Sequence, residues 1–113
     1  MNPSIEPIPE LRASILVRQH HDEVATVFEA DCRRHEHGRA QMFRLRCEGV
    51  TRVDHWLGPE GDPESDYIQI TQAYREPLME GRFLVTLDIA AESEWIEIEC
   101  RSISVTELRS HSA

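Results

Sequence analysis

The chain contains no lysine: all 12 of its basic side chains are arginine, set against 21 Asp and Glu, for a formal net charge of −9. That sign repels a phosphate backbone, and nonspecific nucleic-acid binding relies on the opposite one, so no direct nucleic-acid partner is expected. The bias toward arginine is given no functional weight, since genomic base composition produces it as readily as any activity. No apolar run is long enough to span a bilayer, and the first residues lack the basic cluster and apolar segment of a signal peptide. These absences predict a cytoplasmic protein with no membrane contact. The three cysteines, Cys32, Cys47 and Cys100, are odd in number and lack CxxC spacing, which argues against a disulfide framework and a zinc ribbon. No Gly-x-Ser-x-Gly elbow, Gly-rich phosphate loop or HExxH helix is present. The expectation is a protein that is not an enzyme and carries no cofactor.

What is present is a soluble globular composition, 40% apolar and 29% charged, in 113 residues. That length supports one domain with a real core and is too short for two. Residues 1–13 contain Pro3, Pro7 and Pro9, which favour extended backbone in their predecessors, so they read as an N-terminal arm. A single β domain is expected over 14–110, with a tail at 111–113.

Alternation of apolar and polar residues carries the fold assignment. Ile15-Leu16-Val17 is a strand or a helical turn. From Val24 on, Phe28, Ala30 and Cys32 share one parity, and Glu29, Asp31 and Arg33 the other. Phe43, Leu45 and Cys47 repeat the pattern, and the segment between contains Gly38, suited to a turn. Centring that turn between Glu36 and His37 sets Ala30 opposite Phe43, Phe28 opposite Leu45 and Glu29 opposite Arg44. A second hairpin has Phe83, Val85, Leu87 and Ile89 on one parity, answered by Ile96, Ile98 and Cys100. Centring its connector, residues 91–94, pairs Ile89 with Ile96, Leu87 with Ile98 and Asp88 with Glu97. Residues 50–57 and 67–74 also read as strands. After Cys100 the parity slips, which signals a bulge or a strand leaving the sheet. The whole is an all-β fold, an antiparallel sheet or sheets of about six strands built from hairpins, as a sandwich or a curved half-barrel.

Three clusters invite functional readings. His35 and His37, two apart, would point the same way on a strand, and His20, His21 or His55 would have to complete a zinc set. The register instead puts both in a hairpin loop, where histidines are ordinary. The loop at 58–66 holds Glu60, Asp62, Glu64 and Asp66, but it lacks EF-hand spacing and Pro59 and Pro63 stiffen it, so it reads as solvated acid. The cysteines lie on the core parity, where a thiol is shielded and its pKa raised. The outer face of the second hairpin adds Asp88, Glu92, Glu94, Glu97 and Glu99, with Trp95 among them. Together with the loop this is an acidic surface with an aromatic anchor, which suits a basic protein partner.

Several short motifs carry a resemblance: His21-Asp22 ahead of a long strand, Cys47-Glu48-Gly49-Val50 closing one, and Cys100-Arg101-Ser102-Ile103-Ser104-Val105 near the end. In this order, over about residues 20–108, the chain resembles a family of small β-rich bacterial immunity proteins of polymorphic toxin systems. Cys47 stands where that family usually has an aromatic residue. The resemblance implies a stoichiometric binder that neutralises a cognate toxin, without turnover or cofactor, and the acidic surface is compatible with a basic toxin domain. Two alternatives remain open: a homo-oligomeric structural β-domain, such as a homodimer, and a metal-binding protein using the loop histidines His35 and His37.

Overall fold

Period-two alternation carries this chain into strands almost without interruption. The computed structural model describes residues 5–36, 38–56, 68–89 and 95–108, with backbone alone at positions 55 and 56. Its strands are β1 (Glu6–Pro7), β2 (Ser14–Asp22), β3 (Val27–Glu36), β4 (Arg39–Glu48), β5 (Arg52–Trp56), β6 (Ile68–Pro77), β7 (Phe83–Ile89), β8 (Trp95–Cys100) and β9 (Ser102–Leu108). They form one nine-stranded antiparallel sheet in the order β5-β8-β7-β6-β2-β3-β4-β9, with β1 paired to β6 beyond β2. The all-β antiparallel expectation holds, and the described residues alone form nine strands rather than about six.

The sheet is folded over on itself without closing into a barrel. Its concave side is one continuous core, to which β2 to β4 contribute Leu16, Phe28, Ala30, Cys32, Phe43, Leu45 and Cys47. The facing half, β6 to β8, contributes Ile70, Val85, Leu87, Ile96, Ile98 and Cys100. Full burial of a Leu, Ile or Phe side chain stabilises by about 1.5–3 kcal/mol, so this cluster is the main source of folding energy. From Ile5 on, the expected arm is part of the domain: the 3-10 turn Pro9–Leu11 buries Leu11 completely, Ile8 is buried beside it, and Ile8 N–H donates to Ala73 O at 2.8 Å.

Both hairpin registers differ from the sequence expectation by two residues. Ala30 faces Leu45, Phe28 faces Cys47 and Glu29 faces Arg46, because the last pair is Glu36 with Arg39 and Gly38, at φ +75°, lies in the short connection. His35 is accordingly in β3, opposite Ala40, rather than in a loop. In the second hairpin Leu87 faces Ile96, Val85 faces Ile98 and Asp88 faces Trp95, not Glu97. A shift of two leaves every side chain on its expected face, which is why the core parity survives both corrections. β3 begins at Val27, later than expected, and Val24 is 97% exposed in the preceding turn. There the Asp22 carboxylate accepts the N–H groups of Ala25 and Val24, each at 3.0 Å, which hold its pKa below the ordinary value. The parity slip after Cys100 is a strand leaving its partner: β8 pairs with β7 and β5, whereas β9 pairs with β4.

Two strand pairs turn this corner together, β4 into β5 and β8 into β9. The bend is stitched by Arg101 N–H to Glu48 O, Thr51 N–H to Glu99 O and Val50 N–H to Thr26 O, each 2.9 Å. Gly49 sits at φ +65°, and a Cβ there would lie 2.9 Å from Arg101 Cβ. Two costs therefore fall on any side chain at 49, a left-handed backbone and a clash with an atom fixed to the crossing strand. Gly38 has a similar φ but open space around it, so only the first applies. Gly49→Ala is expected to lower stability by about 2–3 kcal/mol and Gly38→Ala by about 1, read as shifts in urea midpoint at constant m. Equal losses at the two positions would show that the corner is not tight.

Candidate functional site

The two halves of the folded sheet turn outward faces of different character to solvent. On β3 and β4 every outward carboxylate meets an arginine, and Asp22 at the end of β2 instead accepts backbone N–H groups. Arg44 donates to both oxygens of Asp31, at 2.8 and 3.0 Å, with Arg18 at 4.0 Å. Arg46 reaches Glu29 at 2.8 Å and Glu48 at 3.3 Å. Asp31 is only 7% exposed beneath these guanidinium groups, so a charge that would be costly alone is fully answered.

The outward face of β7 and β8 is different. Trp95, Glu97 and Glu99 alternate with the buried Ile96, Ile98 and Cys100, and across the ladder Asp88 lies opposite Trp95 and Thr86 opposite Glu97. On the other side of β8, Asp54 of β5 faces Glu97. Asp88 and Glu97 have no ion-pair or side-chain hydrogen-bond partner among the described residues. Glu99 is otherwise: Arg52 approaches it at 3.5 Å and Arg82 at 3.1 Å. Of the ten residues expected on an acidic binding face, Asp88, Trp95 and Glu97 are thus brought together and left free, while Glu99 is bound into the sheet. Glu60, Asp62, Glu64, Asp66, Glu92 and Glu94 lie outside the described residues, as does His37.

The histidines do not converge. A bulge between Leu16 and Arg18 leaves Val17 51% exposed and resets the register, so that His20 faces Glu29 and His21 faces Phe28. The two imidazoles therefore leave β2 on opposite faces. His35 is seven positions further along β3 than Phe28, roughly 23 Å at strand rise. Among the described residues no three His, Cys, Asp or Glu side chains form a group able to hold a metal ion. Near this end of β2 lies a cleft of about 550 Å³, lined by Gln19, His20, His21 and Glu23 together with Phe28, Thr51, Arg52 and Val53. Arg52 is already engaged by Asp54 and Glu99, and the Thr51 hydroxyl accepts from Arg82 at 2.8 Å.

All three thiols are buried and free. Burial pushes Cys32 up from 9.0 to about 12, offset in part by a hydrogen bond with Ser14. Cys47 donates to Cys100 under the corner, and that bond together with burial pushes the Cys47 thiol upward.

No family model and no curated protein matches the chain. Among solved structures it is similar to the crystal structure of an uncharacterized protein from Neisseria gonorrhoeae, with a TM-score of 0.67, at 10% identity, over 93% of this chain and 99% of that one. At that identity the likeness establishes the shared fold, and the site has to be argued from its own residues.

The thiol burial has a measurable consequence. With the folded pKa of Cys32 raised above its unfolded value, stability is complete below pH 9 and is lost as pH rises from 9 toward 12, because only the unfolded chain releases the proton. The slope from this group is about 1.4 kcal/mol per pH unit. Urea titrations between pH 8 and 10.5 are expected to show this fall in wild type and a shallower one in Cys32→Ala.

Proposed function

We propose that this chain is a non-catalytic binding protein that engages a basic protein surface through the outward face of β5, β8 and β7, in the manner of an immunity protein covering a toxin domain. The observation that carries the reading is the contrast between the two halves. Where carboxylates serve the fold they are matched by arginine, and at Asp88 and Glu97 they flank an aromatic side chain and are left unmatched. Unmatched charge beside a half-buried Trp is a pattern that steers an oppositely charged partner and then anchors it. The acidic residues at 58–66 add to the same field whatever path their backbone takes, since long-range steering depends on summed charge. A buried core on the concave side, filled by aliphatic, phenyl and thiol groups, supports recognition on the outside rather than chemistry within.

The direct test is co-expression with the protein encoded beside it, followed by affinity capture and a growth assay. A one-to-one complex and protection from toxicity are expected; neither complex nor protection would sink the reading. Within such a complex the charge pattern is resolved by residue. Reversal at Asp88 and Glu97 (D88R, E97R) should slow association about tenfold at low salt and much less at high salt, leaving thermal stability unchanged. Glu99→Arg should instead destabilise the free protein, because it removes the carboxylate shared by Arg52 and Arg82 and sets a third cation beside them. Trp95→Ala should speed dissociation, weakening binding by about 2 kcal/mol, as measured by surface plasmon resonance.

A further inference from the structure

Among the described residues the path of the sheet leaves edges at β5, β1 and β9, and they are not equally guarded. β5 is five residues long and carries Arg52 and Asp54; β1 is two residues long and ends in Pro7. Short length, charge and proline are the usual protections of an edge against pairing with another chain. β9 has none of them over most of its length. It runs for seven residues, Ser102 to Leu108, pairs among the described residues with β4 alone, and bears a single charge, Glu107. Its inward residues Ile103 and Val105 pack against the core yet stay partly exposed, and its outward residues Ser102, Ser104 and Thr106 are exposed hydroxyls.

We propose that β9 pairs antiparallel with β9 of a second copy of this chain, about a two-fold axis at Ser104, so that two sheets become one. The register follows from the sequence of the strand. Centred on Ser104, the pairing sets Ile103 opposite the second copy's Val105, Ser102 opposite Thr106, and Arg101 opposite Glu107. Apolar meets apolar on the inner face, hydroxyl meets hydroxyl on the outer face, and opposite charges close each end. Centring on Val105 would instead put Ile103 against Glu107 and Ser102 against Leu108; centring on Ile103 would put Arg101 against Val105. Self-complementarity of this kind is what an isologous two-fold contact demands of a strand, and a different partner would not require it. Because β9 turns away from β8 at the corner and pairs with β4, the pairing leaves the Asp88, Trp95 and Glu97 face free.

A residue on a two-fold axis meets itself, and that supplies the test. Within its own chain Ser104 faces Arg46 on β4, so Ser104→Glu gains a favourable neighbour in the monomer while two carboxylates oppose each other across the axis. Sedimentation velocity of the full chain is expected to show a concentration-dependent dimer for wild type. Both S104E and S104K should shift the dissociation constant upward by about fivefold or more with unchanged circular dichroism, and an equimolar mixture of the two should recover dimer as the Glu–Lys pair forms. A wild-type chain that stays monomeric up to about 1 mM overturns the proposal. So does an S104E protein as dimeric as wild type, a mixture that fails to recover, or a monomer that dimerises only once residues 1–4 are removed, which would assign the edge to the chain's own N-terminus.

Discussion

The fold depends on the crossing at Gly49 and Arg101, where two paired strands bend at once and pass from one half of the sheet to the other. A nine-stranded sheet left flat would expose its apolar face; bending both members of a pair at the same place lets it fold over while the ladder stays intact on each side. The bend works because one strand presents glycine where the other presents the Cβ of Arg101, and because Arg101 and Thr51 N–H groups find carbonyls on the opposing strand while Val50 N–H finds Thr26 O in the β2–β3 turn. Cys47 and Cys100 are fully buried on the inner side of the crossing, where their thiols are hydrogen-bonded to one another.

Much of this architecture was legible in the sequence, and the errors have a common form. Alternation fixes the face of a residue but not its partner, so both hairpins came out with the right faces and the wrong registers. The arginines at 44 and 46 show why the error was hard to see: both lie on the outward parity, and either gives Glu29 an oppositely charged neighbour. The β-bulge at Val17 was not legible at all. In Ile15-Leu16-Val17 all three side chains are apolar, and only the strand on the other side determines which one the ladder skips.

The candidate site was partly legible for the same reason. Asp88, Trp95 and Glu97 share a face because their parities demand it once the strands are recognised. Glu99 was expected to share their role, and its capture by Arg52 and Arg82 could not be foreseen, since those arginines lie 47 and 17 positions away in the chain, and the fold alone brings them near. The histidines illustrate the converse. Adjacent in sequence, His20 and His21 look like a pair, and alternation on a strand separates them.

Charge and topology meet in a last consequence of the corner. Sending β9 away from β8 places the nearly uncharged edge beside β4, where Asp31, Glu29 and Glu48 are held by arginine, and keeps Asp88 and Glu97 on the other half. Had β9 continued beside β8, its bare edge would lie next to Asp88 and Glu97, and a second copy approaching it would bring the same acids against them. Like charges facing across a strand pair or an interface are destabilising. The segregation therefore lets one small domain keep a strongly negative net charge, which favours solubility and the steering of a basic partner, without that charge opposing contacts made through the backbone at its far edge.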